Sequence, residues 1–195
     1  MQDDRKLRES ASQTAGPYVH IGLTPELAGL TGVYPADLGR EIFIDKAKGP
    51  GIRIEGTVID GAGDLIKDAV IETWQSDARG RFYRQSTIGW GRTSTDLNTG
   101  LFAIDTIKPG TVSVEGGHTL APHISVWVIA RGINAGLFTR IYFADESVKN
   151  AADPTLSQLS DQTRIKTLLA QPQAPGLYRF DIRLQGDEET VFLDI

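Results

Sequence analysis

Residues 177–185, LYRFDIRLQ, alternate without a break: Tyr178, Phe180, Ile182 and Leu184 fall on one side and charged residues on the other. Successive side chains of a strand point to opposite faces, so this is the signature of a strand with one face buried and one in water. The same period recurs upstream. IRIEGTVID at 52–60 places Ile52, Ile54 and Val58 together, and DGAGD at 60–64 then turns the chain. Further strands are expected at 69–74 (AVIETW), 101–107 (LFAIDTI, stopped by KPG), 123–130 (HISVWVIA), 139–144 (TRIYFA) and 190–195 (TVFLDI). Short strands separated by Gly-rich turns predict a mainly β chain: an antiparallel β-sandwich with peripheral helices and loops.

Two regions break the period. DPTLSQLSDQTRIKTLLAQP at 153–172 opens on an Asp-Pro helix start and repeats Ile165, Leu168 and Leu169 at helical spacing, so one helix or two short ones are expected there. Ahead of residue 51 the chain is polar and broken by Gly and Pro. Within it, TPELAGL at 24–30 is expected to start a short helix, with Thr24 as cap and Pro25 in the first position. The expected organisation is therefore one domain over 1–195, with an N-terminal arm to about residue 50 and a helical insertion at about 153–172.

At 195 residues and 40% hydrophobic content the chain can bury a sizeable core. A net charge of −5 argues against nucleic acid as a partner, and no apolar run is long enough to span a membrane. The charged start MQDDRKLRES lacks the apolar core of a secretory signal. Cytoplasmic location is the expectation. There is no cysteine, which removes disulfides, thiolate ligands and thiol nucleophiles together. Any transition-metal site must come from His20, His118 and His123, five tyrosines and carboxylates. No phosphate loop or nucleophile elbow is present. Asp145 and Glu146 follow a strand, and a structural role is favoured over acid–base work.

APHISVWVIAR at 121–131 is more telling. In a strand, H-x-H would set two imidazoles side by side on one face, a common way to hold a metal; here His123 is followed by Ser125. Seven segments, SQTAGPYVHIGL, DAVIETWQSDARG, GRTSTD, TIKPG, APHISVWVIARGIN, TRIYFADE and YRFDIRLQGDEETVFLDI, resemble the intradiol ring-cleavage dioxygenases, in the family's order and along nearly the whole length. The resemblance implies a β-sandwich core and insertion of both atoms of O2 into a catechol ring at ferric iron. In the family two tyrosinates and two imidazoles hold that iron. Position by position, the first tyrosine is Phe82 here, the second is Val112, and the histidine pair is His123 and Ser125. An arginine near the substrate is Leu120 and a glutamine before the YF strand is Arg140. Three of four donors are missing, and a serine is a poor replacement for imidazole.

The resemblance then implies a non-iron chain of the two-chain members: no metal ligand and no catalytic residue in this chain, and Fe(III) held by a partner beta chain. The pair would assemble in several copies and act on a small aromatic substrate and O2. Four residues are expected at the substrate. Arg131 suits the carboxylate of 3,4-dihydroxybenzoate, because a guanidinium binds that group bidentately. Thr14 offers a hydroxyl, Gly16 permits close backbone approach and Pro17 stiffens the arm. Eight residues at strand rise would separate Arg131 from His123 by roughly 27 Å. Two alternatives stay open: a self-sufficient iron site built from Tyr83, His118, His123 and a carboxylate, and a non-enzymatic binding module.

Overall fold

A computed structural model describes residues 11, 13–36, 38–43, 49–83 and 88–194. Helix α1 (Val19–Leu23) precedes strand β1 (Gly51–Ile59), β2 (Val70–Gln75), β3 (Trp90–Ser94), β4 (Leu101–Ile107), and the small hairpin β5 (Val112–Ser113) and β6 (Thr119–Leu120). Strands β7 (His123–Ile129) and β8 (Leu137–Phe143) follow, then α2 (Ser147–Ala151), α3 (Pro154–Ser157), a 3₁₀ turn (Gln162–Leu168), β9 (Leu169–Ala174), β10 (Leu177–Arg179) and β11 (Ile182–Arg183).

The alternation read from the sequence is what builds two layers. One layer runs β3-β2-β7-β8, all antiparallel, and the other places β1 between β4 and β10. The inward residues Ile71, Ile124, Val126, Val128, Ile141 and Phe143 of the first meet Ile52, Ile54, Val58, Phe102 and Ile104 of the second in one buried cluster. Burying each such side chain is worth about 2 kcal/mol, so this cluster drives the sandwich. β9 joins the layers: its start runs parallel to β8 and its remainder pairs antiparallel with β10. The pairings of β1 with β10 and β11 are also parallel, so parallel ladders enter an otherwise antiparallel frame where the C-terminal strands dock. Gly56 makes that docking possible. A Cβ there would meet the Phe180 carbonyl and the Phe102 ring.

The expected strand at 177–185 is broken in two, although Tyr178, Phe180 and Ile182 are buried as the alternation requires. The Asp181 carboxylate accepts the Thr57 N–H at 3.0 Å and its hydroxyl at 2.8 Å, interrupting the ladder at that point. The expected strand at 190–195 is absent over the described residues 190–194. That segment is extended and tied by single bonds, Leu193 N–H to Phe138 C=O and the Thr139 hydroxyl to Val191 C=O.

The helical reading of 153–172 holds at its start: Asp153 caps α3 by accepting the Thr155 and Leu156 N–H groups, with Pro154 in the first turn. It fails from residue 169, where the chain extends into β9 to satisfy β8 and β10. The expected helix at 24–30 is also displaced. The helix lies just upstream, at 19–23, and Thr24 ends it: its hydroxyl donates to His20 C=O at 2.8 Å and can accept from the Ser94 hydroxyl at 3.0 Å, and Pro25 follows the stop.

Candidate functional site

Strand β7 carries the two places singled out from the sequence, one at each end. At its start His123 is 5% exposed, and its Nδ1 lies 2.8 Å from the Ala121 carbonyl, which fixes the proton on that nitrogen. Its cross-strand partner is Tyr142, and that of Ser125 is Arg140. All four side chains therefore share one face of the β7–β8 pair. Arg140 donates to the Tyr142 hydroxyl at 3.3 Å and to Thr155 Oγ at 3.0 Å. Burial, reinforced by the Arg140 charge, pushes the His123 imidazole down to about 4. Burial likewise pushes the Tyr142 phenol up, away from the phenolate that hard Fe(III) prefers.

Asp153 closes this end. It is fully buried and accepts the Ala121 N–H at 2.7 Å in addition to the two cap bonds, with the Tyr142 hydroxyl at 3.4 Å. The remaining family ligand positions carry no donor atom. Phe82 stacks on Trp74, with centroids 6.2 Å apart and planes 8° from parallel, and Val112 is buried in the β5–β6 hairpin. One neutral imidazole beside a guanidinium does not fit ferric iron: the cation that Arg140 supplies repels the one a metal would bring.

The divergent site fares no better. Tyr83 donates to Asp77 at 3.1 Å, and His118 is exposed on the hairpin. Among the described residues no three histidine, aspartate or glutamate side chains come together as a metal cluster. Asp77 is instead the hub of its loop. Burial works against its charge, but the Arg81 and Arg79 N–H groups, the Arg81 guanidinium and the Tyr83 hydroxyl outweigh it and hold the carboxyl low. Asp145 and Glu146 are structural, as expected. Both bind Lys108 of the KPG turn, at 2.7 and 3.1 Å, and their charges together with Tyr178 overcome burial and hold that ammonium well above its usual range.

The far end of β7 is built the other way. Arg131 lies in the turn just past the strand, more than half exposed, and lines a cleft of about 720 Å³ with His20, Lys67, Asp68, Gly132 and Gln185. Its Nε pairs with Asp68 at 2.5 Å. Thr14 reaches the same turn, its hydroxyl accepting the Gly132 N–H at 2.8 Å. The structure thus brings Thr14 and Arg131 together across 117 positions of sequence and keeps both at the opposite end of β7 from His123. Gly16 and Pro17 continue the arm in exposed positions, and among the described residues beyond its chain neighbours nothing stands within 4 Å of where a Gly16 Cβ would be. Asp68, His20 and the Asp153 hub were not singled out for this by the sequence.

A second cavity, about 420 Å³, opens between the β3 and β4 edges. Its arginines are already neutralised: Arg53 by Glu55 and Asp105, Arg92 by Glu72, and Arg40 by Glu26. Arg131 in the other cleft is also paired, by the buried Asp68.

A family model described as Dioxygenase matches residues 36–186. The chain is 41% identical over 196 aligned residues, 96% of this chain and 97% of the relative, to a protocatechuate 3,4-dioxygenase alpha chain of Pseudomonas putida. It is 28% identical, over 73% of this chain and 67% of the relative, to a protocatechuate 3,4-dioxygenase beta chain of Burkholderia cepacia. Among solved structures, a 3-chlorocatechol 1,2-dioxygenase of Rhodococcus opacus 1CP superposes with a TM-score of 0.56 at 20% identity, covering 72% of this chain and 62% of that one, which speaks to fold alone. No helix among the described residues is long and apolar enough to cross a membrane. With the sandwich in place and the family pattern running through most of its length, the chain belongs to the intradiol dioxygenases.

Proposed function

We propose that this chain is the alpha subunit of a protocatechuate 3,4-dioxygenase, a cytoplasmic enzyme of several alpha/beta pairs that opens 3,4-dihydroxybenzoate with O2 to 3-carboxy-cis,cis-muconate. Full-length similarity to an alpha chain, combined with Phe82, Val112 and Ser125 where the family has two tyrosines and a histidine, carries the reading. Ferric iron held by the beta chain supplies the ring-opening chemistry. This chain supplies the wall of the cleft that recognises the substrate's carboxylate.

Arg131 is the group for that task. It is held by the buried Asp68 carboxylate, with the closest contact through Nε, and its planar guanidinium carries further N–H donors for a second carboxylate. Thr14 holds the Gly132 amide and so pins the turn on which the guanidinium stands. The space beside Gly16 is available to a group from outside the chain, and Pro17 limits the backbone freedom lost when the arm docks. His123 takes no part.

Producing the chain alone and together with its beta chain, then counting iron and turnover, tests the reading. The isolated chain is expected to be colourless, with negligible iron and no ring opening, and the co-produced pair to carry iron and activity. Stoichiometric iron and activity in the isolated chain would overturn it. Within the complex, Arg131→Ala is expected to raise KM for 3,4-dihydroxybenzoate about tenfold, as for loss of one charge-assisted hydrogen bond, with KM for catechol little changed. Equal changes for both substrates would remove the carboxylate role.

A further inference from the structure

We propose that Asp68 is a positioning residue for substrate recognition: it aims the Arg131 fork at the substrate's carboxylate. The inference rests on the subunit reading above and adds to it the residue that sets specificity from behind.

The β2–β7 ladder carries the argument. Val70 pairs with Ile129, and continuing that antiparallel register outward by two residues sets Asp68 opposite Arg131. Both lie just beyond the strand ends, in a bend and a turn, and their ion pair matches that placement. The aspartate end is stiff. Val70 and Ala69 are fully buried, and Ala69 is clamped by Thr95, whose hydroxyl accepts the Ala69 N–H at 3.0 Å and whose N–H donates to the Ala69 carbonyl at 2.9 Å. Asp68 itself is 8% exposed, whereas Arg131 is an exposed turn residue. A long, exposed side chain is thus tethered by a short, buried one.

The choice of nitrogen matters as well. A carboxylate bound to both terminal nitrogens would use up the fork. The closest contact to Asp68 is through Nε, and a side-on contact leaves N–H donors of the guanidinium for a second carboxylate. Fixing the torsions before the ligand arrives removes ordering cost from the binding step.

Charge alone predicts the opposite sign. A carboxylate this near the fork repels an incoming carboxylate, so its removal would tighten binding if positioning contributed nothing. The direction of the change therefore separates the two roles.

The test uses the intact alpha/beta complex and two ligands that cannot be cleaved because they lack a second hydroxyl: 4-hydroxybenzoate and phenol. Calorimetric Kd values are measured for the parent, Asp68→Asn, Arg131→Ala and the double variant. Asp68→Asn is expected to raise Kd for 4-hydroxybenzoate about three- to fivefold, leave phenol unchanged, and have no effect once Arg131 is gone. KM for 3,4-dihydroxybenzoate rises in parallel while kcat holds, the mark of lost binding. Asp68→Ser, which leaves the start of β2 intact, is the second variant and gives the same rise. If Arg131→Ala weakens 4-hydroxybenzoate selectively but both Asp68 variants leave it unchanged or tighten it, the positioning role is wrong and the subunit reading survives. If Arg131→Ala does not discriminate between the ligands, the carboxylate role of Arg131 fails and this inference with it.

Discussion

The two ends of β7 present opposite solutions to one problem, what to do with a polar group at the edge of a β-sandwich. At the His123 end nearby polar groups bind one another, and only the buried Arg140 Nε among them has no hydrogen-bond partner among the described residues. Arg140, Tyr142, Asp153 and Thr155 bind one another, and His123 binds the Ala121 carbonyl. At the Arg131 end one contact, to Asp68, steadies a guanidinium that otherwise faces open space. A closed network rigidifies a place; a half-committed one readies it for a ligand. The difference teaches that the end lacking the family's metal donors is occupied by charge and hydrogen bonds, while the recognition we propose lies at the other end.

The sharpest way to break this comparison is to open the closed end. Asp153→Ala leaves the Ala121, Thr155 and Leu156 N–H groups without their acceptor, and is expected to cost about 3–4 kcal/mol in urea unfolding. A loss below about 1 kcal/mol would mean that Asp153 is not the hub of that network.

Acid reaches the same end by another route. The folded His123 resists protonation down to about 4, whereas an unfolded imidazole takes its proton near 6.5. The unfolded state therefore binds more protons between those values, and stability falls as pH drops through that window, by up to about 3 kcal/mol. The lowered carboxyls of Asp77, Asp145 and Glu146 begin to lose their contributions as pH falls through the ordinary carboxylate range and finish losing them below it. Urea midpoints at pH 7 and 4.5 isolate the histidine: His123→Gln is expected to flatten the difference, and an undiminished difference in that variant would assign it to other groups.

The smallest effect belongs to the open end. Thr14→Val removes the acceptor of the Gly132 N–H, a single neutral bond worth about 1 kcal/mol. Global stability should hardly change. Hydrogen exchange at the Gly132 amide should quicken by about fivefold, because only local opening becomes easier. Unaltered exchange would show that the arm does not steady the Arg131 turn.

Much of the frame was legible in the chain itself. Period-two alternation located β1, β2, β4, β7 and β8 because the buried face of a strand writes its spacing directly into the residues. Asp153-Pro154 marked a helix start because capping is a local transaction between neighbours. The misreadings share one cause. Thr24 and Pro25 look like a helix start, yet Thr24 is held by Ser94, seventy positions away, and ends a helix instead. Val191 and Leu193 alternate as a strand would, but no neighbour offers them a ladder. Leu168 and Leu169 keep helical spacing until β8 and β10 draw the chain into β9.

What the sequence determined by itself is an inventory of atoms. Phe82, Val112 and Ser125 put neither phenol nor imidazole at three family ligand positions, and folding cannot add a donor that the side chains lack. Only the tertiary structure decided that Arg140 would face Ser125, that Thr14 would reach Gly132, and that Asp68 would stand opposite Arg131. Those pairings depend on strand register, and register is set by how two distant apolar faces bury each other, a quantity that no short stretch of chain contains.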